Sequence, residues 1–165
     1  MEILTPSKLN DLSHYIVNNA LSRFDYYGVL MQTLLVTGCR VAELHYSRWY
    51  IVDNEYFGLL PQKANNTRII PINTLNPRFI NYIYNPLDEQ LYTSYSSVLM
   101  YFNRALKPYK VSYERKDVGP HLFRHNFIRQ LYAKRHTFDD IKDTLGYKSN
   151  EMLSNYLYTE LHSNY

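Results

Sequence analysis

Apolar residues along the first two thirds of the chain recur mostly at helical spacing. Positions three or four residues apart share one face of a helix, so such a pattern predicts helices with a buried side. Caps, prolines and a Thr-Gly pair mark the expected ends. The pattern predicts four helices: one from Thr5 and Pro6 to about Asn18 and Asn19, a buried one over residues 26–36 that ends at Thr37 and Gly38, one from Asn76 and Pro77 to just before Pro86, and one over residues 94–107.

Residues 48–72 have a different pattern, with β-branched and aromatic residues in short runs separated by polar turns. The runs cover residues 49–52, 56–60 and 68–72, which are typical strand lengths. Short strands joined by short turns predict a small antiparallel sheet. The expected fold class is therefore mainly α with a small antiparallel β-sheet (α+β).

A further helix is predicted to start after Gly119 and Pro120, with the proline at its first position. This helix places His121 and Arg124 three residues apart, side by side on one face. Histidine can exchange a proton near neutral pH, and arginine offers a planar fork of donors that matches phosphate or carboxylate oxygens. The pair therefore suggests phosphate chemistry.

Two short helices are expected downstream. Thr137 is typical of a helix cap and Gly146 of the residue just past a helix end, and the apolar face between them is predicted to consist of Phe138, Ile141 and Leu145. Ser149 can cap a last helix that carries Tyr156. That helix could fold back on the His121 and Arg124 helix.

Length and composition favour one soluble domain. The chain has 165 residues, 45% of them hydrophobic, and neither an 18-residue apolar run nor a signal-peptide pattern. We therefore expect an intracellular protein without a membrane partner. The single cysteine, Cys39, excludes an internal disulfide and is predicted to be a packed side chain rather than a reactive thiol.

Charge is unevenly distributed although the net charge is only +3. Residues 104–135 contain nine of the 18 basic residues and two acidic ones, a local charge of +7, which leaves −4 for the rest of the chain. Such a block can be merely a solvated face. Around His121 and Arg124 it fits a nucleic-acid backbone better.

Five ordered segments resemble the catalytic domain of the tyrosine recombinases, the family of phage integrases and chromosome-dimer resolvases. The family pattern is Thr-Gly-x-Arg-x-x-Glu-Leu, a lysine in a β-hairpin, His-x-x-Arg, Leu-Gly-His and a nucleophilic tyrosine. The corresponding segments are residues 37–44, 62–71 with Lys63, 121–124, 145–147 and Tyr156. One position departs from the pattern, because Tyr147 stands where the family has histidine, or tryptophan in some members.

The resemblance implies the roles of six residues. Tyr156 would attack the phosphodiester to give a 3′-phosphotyrosyl bond, Lys63 would be the general acid, and His121 would assist proton transfer. Arg40 and Arg124 would stabilise charge on the phosphate, and the Tyr147 phenol could supply one further hydrogen bond or could merely pack. No cofactor, whether ATP or a metal, is implied.

Residues outside this set are expected to support it. Glu43, one turn after Arg40, could orient an arginine. A predicted basic loop over residues 107–119 is expected to contact the DNA backbone, through Lys107, Lys110, Arg115 and Lys116.

The resemblance also implies double-stranded DNA as the partner, with a tetrameric synapse on DNA and a monomer in free solution. Residues 1–165 are expected to form a single catalytic domain, without the N-terminal core-binding domain that closes a clamp round DNA in family members. Binding to DNA by the chain alone should then be weak and strongly salt-dependent. The resemblance further implies a microbial host, with the protein in the cytoplasm or nucleoid, or a gene carried by a virus or mobile element.

Two alternatives to a recombinase stay open at this point. A type IB topoisomerase-like enzyme would share the chemistry, although the Thr-Gly-x-Arg and Leu-Gly segments favour a recombinase. A DNA-binding module that has lost catalysis would be consistent with Tyr147. His121 and His125 have the spacing of a metal pair, but no third ligand follows at a known spacing, so a zinc site is not predicted.

Overall fold

The computed structural model describes residues 5–23, 25–61, 66–86, 94–112, 118–147 and 154. Within these ranges the chain is mainly helical with one three-stranded antiparallel sheet, as predicted. The α-helices are α1 (Pro6–Arg23), α2 (Asp25–Thr37), α3 (Pro77–Tyr84), α4 (Tyr95–Ser112), α5 (His121–Ala133) and α6 (Phe138–Leu145). Short 3-10 turns cover Val41–Leu44, Tyr46–Arg48 and Ile72–Thr74. None of the helices in the described ranges has the length and apolar character needed to cross a membrane.

Helix α1 begins as predicted but ends later. The Thr5 hydroxyl accepts a hydrogen bond from the Lys8 backbone N–H at 3.2 Å, which caps the first turn. The helix continues past the predicted end at Asn18 and Asn19 to Arg23. Asn19 does not terminate it, because its amide donates to the Tyr109 hydroxyl of α4 at 2.8 Å and so has a partner outside its own backbone.

The three strands are β1 (Trp49–Ile51), β2 (Tyr56–Leu59) and β3 (Arg68–Pro71), in the order β1-β2-β3. Trp49 pairs with Leu59, and Leu59 pairs with Arg68, so these three residues form one row across the sheet. All three are buried. The inward face of the sheet therefore carries a charged residue at its β3 end.

Helix α4 is longer than the sequence predicted. It was expected to end at Lys107 before a basic loop, but it continues through Pro108 to Ser112, so that prediction was wrong for residues 107–112. Proline removes one backbone hydrogen bond from a helix. Packing on both sides offsets the loss, because Leu106 is buried and the Tyr109 ring makes an edge-to-face contact with Tyr15 of α1, with centroids 6.1 Å apart.

Helix α6 has both predicted ends. The Thr137 hydroxyl accepts a hydrogen bond from the Asp140 N–H at 3.1 Å, and Gly146 takes the left-handed conformation with φ +77°. The predicted apolar face was only partly right, since Phe138 is 38% exposed. On this helix only Ile141 and Leu145 are buried, and they form a cluster with Ile128 of α5 and with Tyr147, which follows α6. This small cluster holds the segment after α6 against α5, while the main core lies among α1 to α5 and the sheet.

Candidate active site

The site is built around the turn that follows α2. Gly38 has φ +65°, and a Cβ there would overlap the ring of Phe127 on α5, so the position requires glycine for its conformation and for space. The Thr37 hydroxyl donates to the Thr33 carbonyl at 2.6 Å and accepts from the Cys39 N–H at 3.2 Å. The turn that leads to Arg40 is therefore fixed by its own side chains.

Arg124 joins this turn to the segment after α6. Its guanidinium is buried, with Nη1 donating to the Gly38 carbonyl at 2.5 Å and Nη2 donating to the Tyr147 hydroxyl oxygen at 3.0 Å. The guanidinium carbon also lies 5.8 Å from the centre of the Tyr147 ring. Three of the predicted segments thus meet at one side chain.

Tyr147 is itself a buried residue of the site. Its ring packs in the cluster with Ile128, Ile141 and Leu145, and its oxygen accepts the hydrogen bond from Arg124. A contact between this phenol and a phosphate stays a prediction.

Glu43 orients the backbone at Arg40. Its carboxylate is buried and accepts a hydrogen bond from the Arg40 N–H at 2.8 Å, while its carbonyl accepts from the Trp49 indole N–H at 2.9 Å. Arg40 is half-buried and lies just before the 3-10 turn that contains Glu43. Glu43 was expected to orient an arginine, and the contact it makes in the structure fixes the main chain from which the Arg40 side chain projects.

Arg68 is a member of this site that sequence reasoning did not single out. It is 5% exposed, and its Nε and Nη2 donate to the carbonyls of Thr144 at 2.7 Å and Thr37 at 2.5 Å. The pKa of Arg68 is lowered to about 10, mainly by burial; Arg124 and Arg40 act in the same direction, while Cys39 and Glu43 oppose the shift. The sequence signal that could have identified Arg68 as buried is the two-residue periodicity of strand β3, which puts its side chain on the same face as the apolar Ile70.

Cys39 is packed, as predicted. The side chain is 1% exposed, and burial, followed by the charge of Glu43, raises the pKa of its thiol to about 11. A thiol with so high a pKa carries little thiolate near neutral pH and is a poor nucleophile.

The remaining predicted residues are exposed or lie outside the described ranges. His121 is exposed, and its ring lies over Gly119, where a Cβ would come within 3.0 Å of its Cε1. His125, in contrast, is buried, and no cluster of three metal-ligating residues occurs in the part of the chain that the structure describes. Lys107 and Lys110 are exposed on α4. Outside the described residues lie Lys63, Arg115, Lys116 and Tyr156, together with the helix predicted after Ser149.

The charge of the site suits an anion. Arg68 interacts electrostatically with two other arginines, Arg40 and Arg124, and with the carboxylate of Glu43. The buried guanidiniums of Arg68 and Arg124 are held by neutral backbone carbonyls. The hydrogen bonds that fix Arg68 are therefore to uncharged groups, and a phosphate could be stabilised at this cationic site by charge-assisted hydrogen bonds.

Comparison with solved structures shows the same fold in recombinases. A lambda integrase dimer bound to a COC′ core site is 23% identical with a TM-score of 0.64, covering 94% of this chain and 48% of that chain. The XerH recombinase in a post-cleavage complex with palindromic difH is 17% identical with a TM-score of 0.59, covering 92% and 48%. The XerA recombinase is 18% identical with a TM-score of 0.62, covering 100% and 66%.

The chain spans about half the length of the first two of these proteins. No curated protein sequence matches it significantly. The sequence profile of the phage integrase family, however, matches residues 2–162, which is nearly the whole chain. With the ordered segments, the shared fold and this match together, the chain belongs to the phage integrase family.

Proposed function

We propose that this chain is the catalytic domain of a site-specific DNA recombinase, which cleaves and rejoins DNA strands through a 3′-phosphotyrosyl intermediate. The observation that carries the proposal is the placement of Arg124. Its guanidinium connects the Gly38 turn, which leads to Arg40, with Tyr147. The fold thus gathers segments that are far apart in sequence into one cationic site, as a phosphoryl-transfer enzyme requires.

The chemistry assigns one role to each residue. The Tyr156 hydroxyl attacks phosphorus, the bond from phosphorus to the 5′ oxygen breaks, and Lys63 gives that oxygen its proton. Arg40 and Arg124 stabilise charge on the non-bridging oxygens, with Tyr147 adding a hydrogen bond, and His121 assists proton transfer. The new link is still a phosphodiester, so a 5′ hydroxyl can reverse the reaction without ATP or a metal.

Double-stranded DNA is the proposed partner. Arg104, Lys107 and Lys110 are exposed on α4 at intervals of three residues, so they project from one broad face and can contact successive phosphates. Solved relatives include a lambda integrase tetramer bound to a Holliday junction. By analogy we propose a tetrameric synapse on DNA, with a monomer in free solution, and light scattering with and without DNA distinguishes the two states.

The nucleophile is tested by trapping the covalent adduct on a nicked suicide substrate, from which the cleaved fragment diffuses away. Tyr156→Phe removes one hydroxyl and keeps the ring, so we expect loss of the adduct with folding and DNA binding nearly unchanged. The adduct is measured by denaturing gel electrophoresis.

Tyr158→Phe is the matched control. On the helix that the sequence predicts after Ser149, two residues correspond to a rotation of about 200°, so both tyrosines would not face one phosphate, and this variant should still form the adduct. Retention of the adduct by Tyr156→Phe would reject the assignment. Absence of any adduct from the unmodified chain, even with a core-binding domain supplied, would favour a DNA-binding module without catalysis.

A further inference from the structure

Arg68 is a buried cation that has no role in the reaction proposed above. It is the β3 member of the buried row formed by Trp49, Leu59 and Arg68 on the inward face of the sheet. An apolar side chain would be the ordinary choice at such a position. Burying a charge is costly unless it is hydrogen-bonded. The contacts that compensate this charge therefore indicate why an arginine is present.

Those contacts link two parts of the site. Through Nε and Nη2, which lie on the same edge of the planar guanidinium, Arg68 donates to the carbonyls of Thr144 at 2.7 Å and Thr37 at 2.5 Å. Thr37 precedes Gly38, whose carbonyl is held by Arg124. Two arginines from different elements thus hold consecutive carbonyls of the turn that leads to Arg40.

The other end of the Arg68 bridge fixes the segment that carries Tyr147. Thr144 is three residues before Tyr147, and between them the Gly146 carbonyl accepts a hydrogen bond from the Asn66 N–H at 2.7 Å. A Cβ at Gly146 would come within 2.6 Å of the Asn66 carbonyl oxygen and 2.9 Å of Arg68 Cγ. The segment after α6 is therefore in close contact with the start of β3, and a side chain at position 146 would not fit between them.

We propose that Arg68 is a positioning residue for DNA cleavage, which sets the Gly38 turn and the Tyr147 segment at the separation that Arg40 and Arg124 need to contact one phosphate together. The inference rests on the proposed function, because it concerns the same reaction. Only a planar fork can hold two carbonyls from separate elements in this way, since a lysine ammonium has no fixed geometry. Arg68 itself need not touch DNA.

The test compares Arg68→Lys with the matched control Arg48→Lys. Arg48 also holds a backbone carbonyl beside the sheet, that of Pro61 at 2.6 Å, and lies outside the proposed catalytic set. Adduct formation is measured on a nicked substrate with either an ordinary phosphodiester or a methylphosphonate at the cleavage site. In the methylphosphonate an uncharged methyl group replaces one of the two non-bridging oxygens that the arginines would stabilise.

Displacement of Arg40 and Arg124 should slow adduct formation more on the charged phosphodiester than on the uncharged methylphosphonate. For Arg68→Lys we expect a slowing on the order of 100-fold on the phosphodiester, as for a small misplacement of reacting groups. On the methylphosphonate we expect about tenfold or less, because less charge remains to be stabilised. Arg48→Lys should react like the unmodified chain on both substrates.

A merely structural role would produce a different result. General loosening of the fold would slow both substrates equally, and this outcome, or no slowing at all, would overturn the inference while leaving the proposed function intact. An unmodified chain that forms no adduct on the phosphodiester would overturn both. Thermal unfolding checks that the variants are folded. If Arg68→Lys does not fold, Arg68→Gln is compared in the same way. This variant removes the buried charge and keeps one amide donor.

Discussion

At the scale of single residues, the partners of the buried arginines determine what those arginines can do. Arg124 and Arg68 donate to backbone carbonyls, which are neutral and do not titrate. A carbonyl carries no net charge, so these hydrogen bonds do not neutralise a guanidinium as a carboxylate partner would. Burial lowers the pKa of Arg68 only to about 10, so this guanidinium stays protonated near neutral pH.

The role proposed for Lys63 can be tested on the leaving group. Lys63→Ala should slow cleavage of an ordinary phosphodiester by roughly 100-fold or more, since general acid catalysis typically contributes that much. A substrate with sulfur at the 5′ bridging position should be largely spared, because a thiolate leaves without a proton. Rates of adduct formation on the two substrates are compared, and equal slowing on both would remove Lys63 from the role of general acid.

The raised pKa of Cys39 predicts a loss of stability in alkaline solution. The thiol pKa is 9.0 in the reference state and about 11 in the folded chain. The folded state therefore keeps its proton where the unfolded state loses it, so the stabilisation is complete below pH 9 and declines as the pH rises towards 11. Between pH 8 and 10 the free energy of unfolding should fall by roughly 1 kcal/mol more than in Cys39→Ala.

Urea denaturation at each pH measures this difference. The comparison with Cys39→Ala cancels contributions from the lysines and tyrosines that the two proteins share. Parallel pH profiles for the two proteins would contradict the assigned shift.

At the scale of elements, the site depends on how helices end. Helix α2 ends in the left-handed Gly38 and helix α6 in the left-handed Gly146, and the carbonyl of each accepts a hydrogen bond from another element. Each glycine also lies in close contact with a neighbouring segment, Gly38 with Phe127 and Gly146 with Asn66. The two turns thus combine a helix stop with a docking point, and this brings Arg40 and Tyr147 into one site.

Gly38→Ala should be destabilising for two separate reasons. A left-handed conformation costs an L-residue about 1–2 kcal/mol, and the new Cβ would overlap the Phe127 ring, which adds to that cost. We expect a fall in the free energy of unfolding of at least about 2 kcal/mol, measured in urea.

Gly119→Ala is the control for this prediction. Gly119 has no positive φ, and the Cβ would meet only the exposed His121 ring, at 3.0 Å. This variant should change stability by less than about 1 kcal/mol, because the backbone is not left-handed and the exposed His121 ring can turn away. An equal loss of unfolding free energy in the two variants would show that a side chain at position 38 does not strain the turn.

At the scale of the whole molecule, the charge is divided between two regions. The +7 block over residues 104–135 includes the exposed cations of α4 and the start of α5, while the rest of the chain carries −4. The concentration of positive charge in this block attracts a polyanion to its exposed cations. Duplex DNA is therefore expected on the side that exposes Arg104, Lys107 and Lys110.

Binding to duplex DNA should depend strongly on salt. Each phosphate contact contributes about −0.9 to the slope of log K against log salt concentration. Replacing Arg104, Lys107 and Lys110 by glutamine should weaken binding and reduce the magnitude of that slope by about 2 to 3. Fluorescence anisotropy over a range of salt concentrations measures the slope, with Lys8→Gln, outside the basic block, as the control. An unchanged slope in the triple variant would show that DNA binds to another face of the protein.

The sequence alone determined the elements and the order of the chemical segments. Helical spacing, the caps at Thr5, Thr137 and Gly146, and the β-branched runs predicted nearly every described helix and strand. These features depend on residues within one or two turns of each other, so local sequence is sufficient to specify them. The resemblance that led to the family likewise rests on short segments, and the match over residues 2–162 confirmed it.

Only the tertiary structure decided how those segments are held together. The bond from Arg124 to the Gly38 carbonyl joins residues 86 positions apart, and the bond from Arg68 to the Thr144 carbonyl joins residues 76 apart. Backbone carbonyls are common to all residues, so no sequence pattern reveals which of them an arginine will hold. The continuation of α4 through Pro108 has the same origin, because contacts of Leu106 and Tyr109 with distant residues outweigh a local signal to stop.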